Sequence, residues 1–197
     1  MKIAGIQKAS FIDYPGKIAS VLFCPFCNLR CPYCHNPELV FFKGNTLDEF
    51  SVLSFLQSRI GKIEAVVITG GEPTLQKDLP EFITKIKRMG YLVKLDTNGH
   101  CPDVLADTIN LVDVIAIDLK ATCEKYKTFG GDCEKLKESF ELLKHFQGHL
   151  IIRTTMYPSF TSKADIEEMN KLIPEGLKHE RQFNEYRDSV TLEKFLA

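Results

Sequence analysis

The run Ile18–Phe23 (IASVLF) has the pattern of a buried strand, and it breaks off directly into a loop that holds four of the chain's seven cysteines. Cys27, Cys31 and Cys34 bring three thiolates within eight residues. Thiolates are the ligands of iron–sulfur clusters. Three of them on a four-iron cluster leave one iron open, and an open position is what a catalytic metal centre needs. With Cys24 included, the loop reads C-x2-C-x3-C-x2-C. Four thiolates could instead close a zinc site or hold a ferredoxin-like cluster. The two hooks are only three residues apart, whereas zinc ribbons separate theirs by about 15–20 residues. The cysteines alone leave both readings open.

An odd number of cysteines, mostly clustered, suits a metal or redox centre in a reducing compartment better than a disulfide framework. Cys101, Cys123 and Cys133 are dispersed and are read as buried free thiols. The net charge of -1 gives no basis for a nucleic-acid surface. No apolar run approaches the ~20 residues of a membrane span, and the first residues lack the h-region of a signal peptide. The expectation is a cytoplasmic protein with no nucleic-acid or membrane partner. Its 197 residues are expected to form one domain, with a core over about 17–173 and no appended domain.

Strand and helix patterns alternate along the chain. Lys2–Gln7 could be an edge strand, and Asp13-Tyr14-Pro15-Gly16 is a turn. Further strands are expected at Ala65–Thr69, Leu92–Leu95, Val114–Leu119 and Leu150–Met156. Thr46-Leu47-Asp48-Glu49 matches a capping box, followed by Leu47, Phe50, Leu53, Leu56 and Ile60 at helical spacing. Leu79, Phe82, Ile83 and Ile86 mark the next helix, with Gly90 as its C-terminal stop. Helices also fit Val104–Ile109, the set Leu136, Phe140 and Leu143, and the set Ile166, Met169 and Leu172. The segment after Pro174 is polar and carries no structural signal. Continuous apolar strands alternating with helices point to a parallel sheet covered by helices.

The polar motifs fall at the C-terminal ends of these strands, where parallel α/β folds build their sites. Gly70-Gly71-Glu72-Pro73 follows the second strand, and its glycines let a ligand approach the backbone closely. Asp96 and Asp118 end two strands read as neighbours. Close carboxylates repel unless a cation or proton lies between them. The bland alternative is a salt bridge from Lys120 to one of them. Arg153 lies inside an otherwise apolar strand and needs an anion. Tyr33 could pack against a flat ligand. Asn36 could contact one, although Asn before Pro is common in turns. His35 is ambiguous, and His100, His145, His149 and His179 read as surface or loop residues.

The loop CNLRCPYCHNPEL closely resembles the cluster loop of radical S-adenosylmethionine (SAM) enzymes. Gly-Gly-Glu-Pro, Asp-Thr-Asn-Gly and Asp-Leu-Lys follow on successive strands, in the order seen in activating enzymes of glycyl-radical proteins. The opening, KIAGIQKASFIDYPGKIASVLFCPFCNLRCPYCHNPEL, looks most like activating proteins of anaerobic ribonucleoside-triphosphate reductase. The resemblance runs from about Met1 to Met156.

The resemblance implies a partial (β/α)6 barrel, open at one side, with a [4Fe–4S] cluster on Cys27, Cys31 and Cys34. It places the SAM amino group on Gly70, Gly71 and Glu72. It gives Asp96, Thr97 and Asp118 a monovalent cation held against the SAM carboxylate, with Lys120 on that carboxylate or near the ribose. Tyr33, Asn36 and Arg153 complete the candidate cofactor-binding set. The implied activity is one-electron cleavage of SAM, with an external donor such as flavodoxin or ferredoxin. The 5′-deoxyadenosyl radical then takes hydrogen from a glycine of a partner enzyme. No side-chain general base is required, so none is named. The alternatives are a radical SAM enzyme acting on a small molecule, such as a 7-deazaguanine-type synthase, and a non-catalytic four-cysteine metal module.

Overall fold

The computed structural model describes residues 1–186 and 191–196. The elements run β1 (Gly5–Tyr14), β2 (Lys17–Cys24), α1 (Pro37–Val40), α2 (Glu49–Gln57), β3 (Ala65–Gly70), α3 (Leu79–Arg88), β4 (Leu92–Thr97), α4 (Pro102–Thr108), β5 (Val114–Asp118), α5 (Cys123–Tyr126), α6 (Cys133–Leu143), β6 (His149–Met156), α7 (Lys163–Asn170), β7 (Glu180–Glu185) and α8 (Leu192–Leu196). The seven strands form one sheet in chain order. β2 to β7 are parallel, and β1 folds back antiparallel onto β2. The order does not close on itself, so this is a half-barrel of six parallel strands with an extra edge strand, open between β1 and β7.

The period-2 alternation of the strands decides which side chains face which layer. Val66 and Ile68, Val93 and Leu95, Ile115 and Ile117, and Ile152 point outward into the core beneath the helices. Ala19, Val21, Ala65, Val67, Val114, Ala116 and Ile151 point into the concave face. Small inward residues let the sheet curl tightly. One or two positions further along, the same inward rows carry Thr69, Asp96, Asp118, Arg153 and Thr155. The lumen is therefore apolar at its floor and polar at its C-terminal rim. Helix α3 is the clearest amphipathic element, since Leu79, Phe82, Ile83 and Ile86 are all buried. Gly90 follows it at φ +88, as the left-handed C′ position requires.

Several expectations are corrected. The N-cap of α2 is Asp48, whose side chain accepts from Ser51 N–H, rather than Thr46. Glu49 instead pairs with the N-terminal amine and with Lys85. Leu47 bridges to Ile3 before the helix begins, so the buried face is Val52 and Leu56, and Phe50 is 80% exposed. The edge strand extends well beyond Gln7, to Tyr14. Among the described residues, β7, with sequence ERQFNE, and α8 follow Pro174. Cys123 and Cys133 are not free thiols. α5 and α6 both begin at cysteines whose Cα atoms lie 5.2 Å apart, and the two are joined as a disulfide. His100 lies in the loop after β4, one of the two places expected of it, and is buried there with its ring 5.1 Å from that of Tyr126.

Candidate functional site

The cysteine loop leaves β2 at its C-terminal end and packs against the turn that leaves β3. Gly71 N–H donates to Cys24 O at 2.8 Å, and Glu72 N–H donates to Phe26 O at 2.7 Å. A Cβ on Gly71 would lie 1.9 Å from Phe26 O, and one on Gly70 would lie 2.6 Å from Cys24 N. The two glycines are therefore needed to admit the cysteine loop itself, a stronger reason than ligand approach. Phe26 takes φ +67 at this crossing, a left-handed conformation that costs a non-glycine residue energy.

Glu72 is buried beneath this crossing. Its Oε1 accepts from Thr74 N–H (3.1 Å), Thr74 Oγ1 (2.6 Å) and Thr97 Oγ1 (2.7 Å), and its Oε2 accepts from Asn98 N–H (2.7 Å). Four neutral donors thus tie β3 to the end of β4. Burial raises the Glu72 carboxyl above its ordinary range, and these hydrogen bonds oppose the shift without cancelling it. These bonds make the side chain an internal brace of the turn. Asn98, which the sequence reading left out of the site, joins β4 to the cysteine loop. Its Nδ2 donates to Asn28 Oδ1 at 2.7 Å and reaches Cys27 Sγ at 3.7 Å. Its place in Asp-Thr-Asn-Gly was the available signal.

A second set of charges lies on the inward rows of β4, β5 and β6. Lys94 pairs with Asp96 Oδ1. Arg153 Nη1 reaches Asp96 Oδ2 at 3.0 Å, and Arg153 Nε reaches Asp118 Oδ1 at 2.9 Å. Lys120 Nζ reaches Asp118 Oδ2 at 2.9 Å. The register supports this chain of contacts, since Asp118 and Arg153 are direct cross-strand partners. Burial alone would raise the Asp118 carboxyl, but the charges of Arg153 and Lys120 and their hydrogen bonds hold it down at about 2. Burial works against the charge on Lys120 as well, yet the nearby Asp118 keeps it well above its usual range. The guanidinium bridges the two aspartates for which the resemblance implied a monovalent cation.

One cavity of about 460 Å³ joins these parts. Cys27, Cys31, Cys34, Tyr33, Asn36, Gly70, Gly71, Glu72, Asp96, Thr97, Asp118, Lys120 and Arg153 all line it. Asp13 from β1 and Asn184 from β7 line it too, so both edges of the open barrel reach the lumen. Cys24 is fully buried in the apolar core. Tyr33 is held from behind, its hydroxyl donating to Lys120 O at 3.0 Å and its ring 5.0 Å from that of Tyr157. Asn36 is the N-cap of α1 without a side-chain capping bond.

The model of the radical SAM superfamily matches residues 21–173. The chain belongs to the radical SAM superfamily. Among relatives of this radical SAM enzyme, a proposed glycyl-radical enzyme activating enzyme of Methanocaldococcus jannaschii is 39% identical over 184 residues, covering 87% of this chain and 75% of the relative. The pyruvate formate-lyase-activating enzyme of Clostridium pasteurianum is 28% identical over 184 residues, covering 87% of this chain and 76% of that one. Streptococcus suis SuiB bound to precursor peptide SuiA matches in structure with a TM-score of 0.67 at 16% identity, over 85% of this chain and 39% of that one. At that identity the match speaks to the fold, and the chain spans about two fifths of that structure.

Radical SAM enzymes use a [4Fe–4S] cluster and SAM, and the donor set here fits both. Three thiols face one cavity while Cys24 is turned into the core, as a three-ligand cluster requires. Burial pushes Cys27 up to about 11 and Cys31 up to about 12, and it raises Cys34 as well. Iron binding must therefore displace protons from these thiols. Among the described residues, no three of His, Cys, Asp or Glu are grouped to hold a single metal ion. No helix among the described residues is long and apolar enough to cross a membrane.

Proposed function

We propose that the chain is an activating enzyme that installs a glycyl radical on a partner enzyme, and that the partner is an anaerobic ribonucleoside-triphosphate reductase. The observation that carries this is the meeting, in one cavity at the C-terminal rim of an open half-barrel, of three cluster thiols, the Gly70-Gly71 turn and the ion-paired chain of Asp96, Arg153, Asp118 and Lys120. The 39% identity to a proposed glycyl-radical enzyme activating enzyme supports the reaction class. The opening residues support the choice of reductase.

When bound, the cluster and SAM supply reductive cleavage and hydrogen-atom abstraction; the protein supplies binding and orientation. Cys27, Cys31 and Cys34 would hold the cluster at the wall of the lumen. Arg153 and Lys120, the two cations that line the cavity, meet the SAM carboxylate, while Lys94 pairs with Asp96 from below. Backbone carbonyls at Gly70 and Gly71 receive the SAM amino group, while Glu72 keeps that turn in shape. Tyr33 and Asn36 wall the site, and Thr97 ties its floor to Glu72. The opening between β1 and β7 admits a backbone glycine of the partner, and the walls keep bulk water from the reacting atoms. Residues 1–197 act as one domain in this reading, working in the cytoplasm with flavodoxin or ferredoxin as donor.

The test is anaerobic incubation of the reconstituted enzyme with purified reductase, SAM and a low-potential reductant. A glycyl EPR doublet on the reductase is expected. Absence of the doublet, with SAM still cleaved, would refute the partner.

A further inference from the structure

All four carboxylate oxygens of Asp96 and Asp118 are already engaged by cations of this chain. Lys94 takes Asp96 Oδ1, Arg153 takes Asp96 Oδ2 and Asp118 Oδ1, and Lys120 takes Asp118 Oδ2. Thr97, the third group implied for a monovalent cation, donates its hydroxyl to Glu72 Oε1 at 2.7 Å and accepts from Gly99 N–H at 3.1 Å. A further cation would set four positive charges against two carboxylates in a largely buried place, where like charges repel strongly. The residues present do not fit an exchangeable cation.

We infer that Lys94 is a built-in replacement for that cation, a positioning residue that makes SAM binding independent of potassium and sodium. Lys94 lies two residues before Asp96 on β4, on the same inward row. It is the deepest member of the chain of charges: its side chain is 6% exposed, against 19% for Arg153 and 21% for Lys120. The ammonium approaches Asp96 from the floor of the lumen. Asp96 is thereby fixed on its far side, so that it holds the Arg153 guanidinium without drawing that group away from the cavity. Arg153 and Lys120, nearer the open end, are left to meet the ligand. A tethered ammonium cannot diffuse away, so neutralisation of Asp96 does not vary with the salt present.

The inference rests on reading the lumen as a SAM site, and the experiment separates the two. The anaerobically reconstituted enzyme is titrated with SAM, and its Tm recorded, in choline, sodium and potassium chloride at equal ionic strength. For the wild type, the SAM dissociation constant is expected to agree within about twofold across the three salts, and Tm is expected to show no saturable rise with sodium or potassium. Lys94→Met is expected to bind SAM at least about tenfold more weakly in choline chloride and to recover in potassium or sodium. Lys94→Arg keeps the charge and is expected to stay indifferent to the salt. A wild-type enzyme whose affinity or Tm rises saturably with either ion would overturn the inference. So would a Lys94→Met protein with wild-type affinity in choline. If Lys94→Met does not fold, the wild-type titrations and Lys94→Arg decide. If SAM binds in no salt, the SAM reading fails, while the Tm titration still decides the role of Lys94.

Discussion

The two acidic regions of the lumen solve the same problem in opposite ways. Glu72 satisfies its charge with four neutral donors drawn from its own turn and from the end of β4. Asp96 and Asp118 satisfy theirs with three cations drawn from β4, β6 and the end of β5. The first arrangement leaves its carboxyl raised by burial, and the second holds Asp118 at about 2. Neutral donors fix a backbone shape but add no net field. Paired cations at the cavity wall instead place charged donors where a bound anion can use them. Glu72 thus braces the turn that it belongs to, and the ion-paired residues line the cavity beside it.

The largest effect expected from breaking this contrast is at Glu72. Glu72→Ala strands four buried donors and uncouples β3 from β4, costing about 3 kcal/mol in urea unfolding. Because Asn98 is held by the same carboxylate and reaches Cys27, cluster loading is expected to fall with stability. A variant with wild-type stability and weakened SAM binding alone would return Glu72 to the role of ligand hook.

The pH dependence is next in size and differs in sign between the two regions. The folded Asp118 carboxyl lies below its ordinary value of 3.8. Its contribution of about 2 kcal/mol is therefore complete above that value and is lost as pH falls toward about 2. Glu72 is raised from 4.5, so its contribution is present at low pH and is lost as pH rises through the folded value. Acid unfolding of cluster-free protein is expected to be flatter in Asp118→Asn and steeper in Glu72→Gln than in the wild type. Parallel profiles for all three would remove the contrast.

The smallest effect is at the crossing of the two loops. Phe26→Gly relieves the left-handed strain at φ +67 and gives up the edge contact with Phe42 at 6.3 Å. A net gain of about 1 kcal/mol is expected from denaturant midpoints. A loss would mean that the ring packing outweighs the backbone.

Much of this was legible in the sequence because it is local. Strand runs, the α3 stripe and the position of each polar motif at a strand end follow from periodicity and turn chemistry. What escaped is what depends on register or long-range contact. Lys94 reads as an ordinary strand residue until the alternation of β4 puts it on the row of Asp96. The pairing of Arg153 with both aspartates depends on three strands being in register. β7 carries no apolar pattern, since an edge strand with most of its side chains in or near solvent needs none. The Cys123–Cys133 bond links two helix starts ten residues apart, and no spacing rule reports it. His100 is buried by an aromatic neighbour, Tyr126, that local sequence does not announce.

The central claim is that Cys27, Cys31 and Cys34 would hold a cluster with one open iron, and that the ion-paired chain from Lys94 to Lys120 would help to bind SAM beside it. The most direct test is the EPR spectrum of the anaerobically reconstituted, reduced protein with and without SAM. A [4Fe–4S]⁺ signal that changes on adding SAM, in the wild type and in Cys24→Ala alike, is the predicted result. A cluster indifferent to SAM, or one lost in Cys24→Ala, would contradict the account.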